Sequence, residues 1–239
     1  MKITALLQKI SFLHKYFSHK PFIYVALGDS TVEGIGASTI TKTYPAIINI
    51  ALKSTYKKVE YHNFGKGRAR VAGVIDSQLE KTIALQPHLI TISIGANDIF
   101  KRSSVNKFSL QLDILLERLS KETNATIVIN TIPDFSAVPS IPPVLKTYCK
   151  IQGVRFNKII GTLTDQYKIV LVDFYTQTKI LGKQYPELFA SDGLHPSDIG
   201  YAIWAHAVLV KIENILEKKT GVEVNTETIL PKETVVQKR

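Results

Sequence analysis

One serine, one histidine and one aspartate in the sequence have the types and the spacing that acyl transfer requires. Ser30 follows a short apolar run, and His195 lies three residues after Asp192. A serine hydroxyl attacks a carbonyl effectively when an imidazole accepts its proton, and a carboxylate behind the ring orients it and stabilises its charged form. Because a tight loop around Gly193 would bring Asp192 to the His195 ring, these residues predict a catalytic triad with Ser30 as nucleophile.

Two other loops contain groups that could stabilise the oxyanion formed during acyl transfer. Asn97 carries a side-chain amide, and residues 63–68 are rich in glycine and offer backbone N–H groups. Fixed donors of both kinds stabilise a developing oxyanion. We therefore predict an oxyanion hole formed by Ser30, Gly67 and Asn97.

The elements that must position these residues alternate along the chain from residue 22 onward. Short apolar, β-branched runs predict strands at residues 22–27, 59–64, 88–94, 125–131 and 169–174, and helical periodicity predicts helices at residues 43–55, 71–85, 104–123, 145–167 and 197–218. Strands separated by helices favour an α/β fold, in which a parallel sheet carries helices on both faces. In such sheets ligands bind beyond the carboxyl ends of the strands, which is where the predicted site residues lie.

The composition fits a single globular domain. The chain has 239 residues, of which 45% are hydrophobic and 21% charged, and a chain of this length buries a large core without disulfides. Its only cysteine, Cys149, has no internal partner and no histidine at a recognisable pairing distance. We predict a domain at residues 21–218, a basic amphipathic segment at residues 1–20 and a polar tail at residues 219–239.

Three blocks of the sequence resemble the SGNH, or GDSL-type, hydrolase superfamily. They are Gly28-Asp29-Ser30, Gly95-Ala96-Asn97-Asp98 and Asp192-Gly193-Leu194-His195-Pro196, and the similarity spans about residues 22–210. The resemblance implies a flavodoxin-like, three-layer α/β/α sandwich with a five-stranded, mainly parallel sheet. It also implies esterase, lipase or acyl-esterase activity without a metal or other cofactor. In that family the serine is the nucleophile, the histidine its base, and the asparagine an oxyanion donor.

The second block of the family departs from its pattern in this chain. Counting from Asn63, the glycine of that block is expected where the chain has Arg68, and Gly67 stands one position earlier. The oxyanion donor of this block is a backbone N–H, so either residue could supply it. Our prediction is Gly67, and Arg68 stays the alternative.

The net charge of +10 raises the question of a nucleic-acid partner, since basic surfaces attract phosphates. The lysines are spread along the chain, and the densest basic run, residues 66–70, is too short to form a groove-binding element alone. We expect a solvated basic surface and no nucleic-acid partner. The histidines do not have the spacing of metal ligands, so we expect no metal.

Other functions stay open on the sequence alone. Ser30 could cap a helix and Asn97 could form a turn, although the joint occurrence of the site residues favours an enzyme. The expected substrate is a small-molecule, lipid or carbohydrate ester. A carbohydrate O-acetyl esterase is one alternative, and a catalytically silent binding module, which Arg68 would favour, is another. Aromatic side chains that could line an acyl pocket, or equally belong to the core, are Phe135, Tyr148, Tyr175, Tyr185 and Phe189.

The first twenty residues lack the features of a secretory signal. Polar residues interrupt their apolar positions, whereas a signal peptide has an unbroken apolar stretch and a small-residue cleavage site. We expect a cytoplasmic protein, with peripheral membrane contact through residues 1–20 and export as open alternatives. No later segment is expected to reach the length of a transmembrane span.

Overall fold

Five parallel strands form one sheet at the centre of the protein. The computed structural model describes residues 20–220. The strands are β1 (Phe22–Gly28), β2 (Val59–Asn63), β3 (Leu89–Ser93), β4 (Thr126–Asn130) and β5 (Val170–Val172). Their order across the sheet is β2-β1-β3-β4-β5, and every neighbouring pair is parallel. The predicted five-stranded α/β fold is confirmed.

Helices connect the strands. They are α1 (Ser30–Glu33), α2 (Tyr44–Thr55), α3 (Val71–Val74), α4 (Glu80–Leu85), α5 (Ala96–Phe100), α6 (Val105–Glu122), α7 (Pro143–Tyr167), α8 (Phe174–Gln184) and α9 (Asp198–Thr220). A π-helical turn (Ile75–Leu79) joins α3 to α4, and short 3-10 turns lie at Ile40–Lys42 and Pro186–Leu188. The predicted helix at residues 71–85 is therefore three helical segments in succession.

Both faces of the sheet are buried, which explains the nearly continuous apolar character of the strands. Successive side chains of a strand point to opposite faces. In β1, Val25 and Leu27 pack on the side of α3, α6 and α7, while Tyr24 and Ala26 pack on the side of α2 and α9. The two apolar clusters produce the three-layer arrangement that the family resemblance implies.

Helix α8 is the main element that the sequence analysis did not predict. Polar side chains interrupt its apolar positions, so its sequence carries only a weak helical pattern. In the structure Asp173 caps its first turn by accepting a hydrogen bond from the Thr176 N–H, and Phe174, the first residue of the helix, is buried. This tertiary anchoring stabilises a helix whose sequence pattern is weak.

The order of the strands brings the predicted site loops together. Strand β1 lies between β2 and β3, and its last residue, Gly28, pairs with Ser93 at the end of β3. The loops that follow these strands therefore meet at one edge of the sheet. Ser30 and Asn97 begin from neighbouring strand ends, while the glycine-rich loop after β2 lies on one side of them and the loops after β4 and β5 lie on the other.

Helix α9 is long and apolar enough to cross a membrane by length and composition, so the expectation that no later segment reaches that length is wrong. Its buried side chains, including Tyr201, Ala205 and Leu209, belong to the apolar cluster on one face of the sheet. This packing is that of a core helix. The predicted amphipathic segment at residues 1–20 and the tail at residues 219–239 lie almost entirely outside the described residues.

Candidate active site

Ser30, His195 and Asp192 form one continuous hydrogen-bonded chain. The Nε2 atom of His195 lies 3.0 Å from Ser30 Oγ, and its Nδ1 atom lies 2.6 Å from Asp192 Oδ2. An ionised carboxylate only accepts hydrogen bonds, so Nδ1 carries the proton and Nε2 is left to accept the hydroxyl proton of Ser30. The three residues that the sequence singled out as a triad are therefore in contact in the order that acyl transfer requires.

The loop that carries His195 is held by short-range backbone hydrogen bonds. The Gly193 N–H donates to Ala190 O at 2.8 Å, and the Ala190 N–H donates to His195 O at 2.8 Å. Gly193 has φ of 64°, which glycine adopts at no steric cost. Gly36 packs against this loop from α1's side, where an added Cβ would lie 2.8 Å from His195 Cβ. The imidazole position is thus fixed by backbone on both sides.

The carboxylate of Asp192 stays ionised because the loop solvates it. Its partial burial would raise its pKa, but hydrogen bonds from the His195 ring and from the N–H groups of Leu194 and His195 prevail and lower the pKa below the ordinary value. Those N–H groups donate to Asp192 Oδ1 at 2.8 and 3.0 Å. One oxygen of the carboxylate therefore builds the loop while the other orients the ring.

Ser30 is the first residue of α1, and Asp29 caps that helix. Asp29 Oδ1 accepts hydrogen bonds from Thr31 N–H at 3.0 Å and Thr31 Oγ1 at 2.9 Å. The strand end before them is clamped by Gln78, whose amide both donates to and accepts from the Gly28 backbone at 2.9 Å. Among residues 20–220, the Ser30 N–H has no acceptor, so this donor is available to a substrate oxygen.

Asn97 lies in the short helix α5, which begins just after β3. Its Nδ2 donates to Ala69 O at 3.1 Å and is 3.5 Å from Asp29 Oδ2. The first bond fixes the amide, and the second contact is at the limit of a hydrogen bond. The amide hydrogen that faces Asp29 therefore has no strong acceptor there and is open to one, such as an oxyanion.

Asp29 is a buried carboxyl group next to the triad. Its exposed fraction is 2%, and burial raises its pKa from 3.8 to about 6, against the hydrogen bonds from Thr31 and the attraction of His195. The group is consequently protonated more readily than an ordinary aspartate. Asp29 stabilises α1 through its hydrogen bonds with Thr31, and its other oxygen lies 3.5 Å from the Asn97 amide.

The loop after β2 places Gly67 and Arg68 at the site in different ways. The Gly67 N–H donates to Glu33 Oε2 at 2.7 Å, so that donor is already engaged. Arg68 has φ of 65°, in the left-handed region that favours glycine and costs other residues about 1–2 kcal/mol. Within residues 20–220, no acceptor engages the Arg68 N–H. The position where the family has glycine thus keeps a glycine-like conformation although it carries arginine.

A cavity of about 560 Å³ opens beside the triad. Ser30, His195 and Asn97 line it, and so do Gly67 and Arg68. Much of the remaining wall is apolar and comes from α5, from the segment between β4 and α7, and from α8 and the residues after it: Phe100, Ile132, Phe135, Val138, Leu181 and Phe189. The volume lies in the range of small-molecule binding sites, which are mostly apolar with a few convergent polar groups.

The aromatic residues considered for an acyl pocket divide into two groups. Phe135 and Phe189 line the cavity, whereas Tyr148, Tyr175 and Tyr185 are not among its lining residues. Cys149 is 2% exposed, and burial raises the pKa of its thiol. A buried thiol of this kind has little of the thiolate character that a nucleophile needs.

Two side chains that hold the site were missed in the sequence analysis. Gln78 falls on the apolar face of a predicted helix. A polar residue on such a face is the signal that could have identified it. Glu33 carries no such signal, because its contact with Gly67 joins residues that are far apart in the sequence.

A comparison with protein families agrees with this geometry. Residues 26–203 match the model of the GDSL-like lipase/acylhydrolase family. The chain belongs to this family. The resemblance drawn from the sequence blocks is confirmed.

A curated relative has a related sequence. The GDSL-like esterase Rv1075c of Mycobacterium tuberculosis is 25% identical over 203 residues, which cover 83% of this chain. The GDSL-like chain spans 64% of the length of that relative.

Two solved structures share the fold. The acetylxylan esterase Axe2 of Geobacillus stearothermophilus superposes with a TM-score of 0.65 at 20% identity, covering 80% of this chain and 93% of Axe2. A lipase/acylhydrolase of Enterococcus faecalis also gives a TM-score of 0.65 at 20% identity, covering 85% and 98%. At this level of identity the similarity establishes the three-layer fold alone.

Proposed function

We propose that this GDSL-like protein hydrolyses carboxylic esters through an acyl-enzyme intermediate. The observation that carries the proposal is the chain of contacts from Ser30 Oγ to His195 Nε2 and from His195 Nδ1 to Asp192 Oδ2. The triad opens into a cavity that can take an ester. These features match the requirements of an activated serine nucleophile.

The first half of the reaction forms the acyl-enzyme. Ser30 Oγ attacks the ester carbonyl carbon while His195 Nε2 takes the hydroxyl proton. Asp192 stabilises the imidazolium that results. The tetrahedral intermediate then expels the alcohol, which receives the proton from His195, and the acyl group stays on Ser30.

The second half restores the enzyme. A water molecule attacks the acyl carbonyl and gives its proton to His195 Nε2. The new tetrahedral intermediate collapses, the carboxylic acid leaves, and the proton returns to Ser30 Oγ. Each step uses the same base, so one imidazole serves both halves.

The oxyanion is stabilised by the Ser30 N–H, the Asn97 amide and the Arg68 N–H. Arg68 takes the place that the sequence analysis gave to Gly67, since the Gly67 N–H is engaged by Glu33 and the Arg68 N–H has no acceptor within residues 20–220. Donors that are fixed before the reaction stabilise the transition state without reorganisation. Gly67 then has a supporting role, because its bond to Glu33 holds the loop that presents Arg68.

The test is steady-state hydrolysis of nitrophenyl esters by the wild type and by Ser30→Ala. Removal of the nucleophile should lower kcat by about four orders of magnitude or more. Ser77→Ala is the matched control. Ser77 lies on the π-helical turn outside the cavity, where its hydroxyl donates a hydrogen bond to Gly73 O. Turnover by Ser30→Ala at the wild-type rate would refute the proposal.

A further inference from the structure

Part of the basic run at residues 66–70 lines the active-site cavity. Gly67 and Arg68 of this run line the cavity, whereas Lys66 and Arg70 do not. The Arg68 side chain belongs to an exposed residue and makes no ion pair or hydrogen bond within residues 20–220. A guanidinium in this position presents donors in a planar fork that suits carboxylate and phosphate groups.

The opposite wall of the cavity has the opposite character. It is formed by apolar side chains such as Ile132, Phe135 and Val138, which follow β4, and Leu181 of α8. The strand order β2-β1-β3-β4-β5 places the loop with Arg68 on one side of Ser30 and these apolar residues on the other. An ester whose carbonyl lies at Ser30 would therefore meet a cationic group at one end and an apolar wall at the other.

The order of product release assigns the two ends of the ester. The alcohol leaves first, while the acyl group stays bound to Ser30 until water attacks. The departing alcohol must reach solvent, and Arg68 is an exposed residue of the cavity lining. The acyl group is held for longer, and buried residues such as Phe135 and Val138 can shelter it.

The size of the cavity indicates an acyl group larger than acetyl. Its volume is about 560 Å³, and much of its wall is apolar. A two-carbon acyl group would leave most of the apolar wall without contact. A longer chain would gain free energy from each methylene that it buries there.

We propose that the substrate is an amphipathic ester with an apolar acyl chain longer than acetyl and an anionic group on its alcohol, and that the Arg68 guanidinium binds that anionic group. The proposal rests on the proposed esterase function of Ser30. Arg68 then has two roles: its backbone faces the oxyanion and its side chain determines specificity. The arginine stands at the family's glycine position with φ of 65°, and its side chain is the group that a glycine there would lack.

The charge arm of the test compares an octanoyl ester of nitrophenol with the octanoyl ester of a hydroxy-nitrobenzoate, which has a carboxylate on the leaving group. The quantity measured is the ratio of kcat/KM for the anionic ester to that for the neutral ester. Arg68→Gly should lower this ratio about tenfold, the effect of losing a charged hydrogen bond. Glycine adopts the observed backbone angles and keeps the N–H, so the ratio isolates the side chain.

Two variants make the result specific. Arg68→Lys keeps the positive charge and should keep most of the preference. Lys66→Gln removes a charge from the same basic run but outside the cavity, and should leave the ratio within twofold of wild type. Added salt should weaken the wild-type preference, since it screens exposed charges, and should not change the ratio of Arg68→Gly. An unchanged ratio in Arg68→Gly would overturn the role of Arg68.

The acyl arm uses nitrophenyl esters from acetate to decanoate. We expect kcat/KM to rise severalfold from acetate to octanoate in the wild type. Val138→Phe fills the apolar wall and should reduce the octanoate-to-acetate ratio at least fivefold. The matched control is Val154→Phe, at an exposed position on α7 outside the cavity, which should leave the ratio unchanged. A wild-type preference for acetate would overturn the acyl assignment and favour an O-acetyl esterase.

A final pair of substrates separates two sources of the anionic group. Octanoyl glycerol phosphate presents a phosphate, as a lysophospholipid does, and octanoyl glucuronate presents the carboxylate of an acidic sugar. The one whose turnover depends more strongly on Arg68 identifies the class. Turnover of neither neutral nor anionic esters would instead refute the esterase function itself, which keeps the two proposals distinguishable.

Discussion

The loop at Asp192–His195 and the loop at residues 66–70 serve the same serine, but they are held in place in different ways. In the first loop, Asp192 accepts its hydrogen bonds from residues no more than three positions away. The second depends on Glu33, which is separated from Gly67 by 34 positions. The first loop also matches the family's residues, whereas the second carries Arg68 in place of glycine.

This difference explains where sequence reasoning is reliable. The hydrogen bonds that Asp192 accepts are all local, so the geometry of the Asp–His pair is carried by its own spacing in the sequence. A loop that is held by a distant side chain has no such record in the sequence. It can also tolerate substitution at a position such as Arg68, provided that the distant contact keeps the backbone in place.

The largest effect is expected in the loop at residues 192–195. Asp192→Asn should lower kcat about ten-thousandfold, because an amide next to His195 Nδ1 can favour the tautomer whose proton lies on Nε2. The control is Asp198→Asn, which removes a carboxylate that binds Lys42 and Ser38 outside the triad. A loss of less than tenfold in Asp192→Asn would show that this loop does not activate Ser30.

Asn97→Ala comes next, and it tests the donors that lie between the two loops. The amide stabilises only the oxyanion, so kcat should fall by about a hundredfold to a thousandfold while KM changes little. Steady-state kinetics with one ester measures both constants. Asn106→Ala, an exposed substitution on α6, should behave as wild type. A change confined to KM would remove the oxyanion role of Asn97.

Asp29→Asn tests the buried carboxyl group beneath both loops through the pH dependence of stability. The folded-state pKa of about 6 lies above the ordinary 3.8, so the folded protein binds this proton more tightly than the unfolded chain. The free energy of unfolding should therefore fall as pH rises from about 4 to about 6, by up to about 3 kcal/mol from this group.

The asparagine variant lacks that titration. Its stability relative to wild type should improve across the same pH interval and then level off. Urea unfolding at several pH values measures the difference. A constant difference between wild type and Asp29→Asn from acid to neutral pH would contradict the assignment.

The smallest effect is expected at Glu33, the distant support of the second loop. Glu33→Ala should lower kcat about fivefold, the effect of losing an exposed hydrogen bond to a charged group. Glu33→Gln keeps an acceptor for the Gly67 N–H and should recover most of the activity. If Gly67 were the oxyanion donor, removing Glu33 would release its N–H, and kcat would stay the same or rise.

Much of the fold and of the triad was predictable, for a common reason. The apolar runs of β1 and β3 and the periodicity of α6 are local patterns. Parallel topology then brings Ser30 and Asn97, which follow β1 and β3, to neighbouring strand ends. The triad also follows from residue types and a short spacing.

The rest depends on tertiary contacts. Helix α8 has a weak pattern and is anchored by Phe174 in the core. The clamp of Gln78 on Gly28 and the engagement of Gly67 by Glu33 join distant segments. The cavity wall combines residues from several elements, so its volume and its apolar character emerge only when those elements pack together.

The most direct test of the account is the site of covalent labelling by a fluorophosphonate, read by intact mass and located by peptide sequencing in the mass spectrometer. We predict one adduct, on Ser30, which is absent in Ser30→Ala and forms much more slowly in Asp192→Asn. An adduct on another residue, or an undiminished mass shift in Ser30→Ala, would contradict the claim that Ser30 is the nucleophile of this GDSL-like protein.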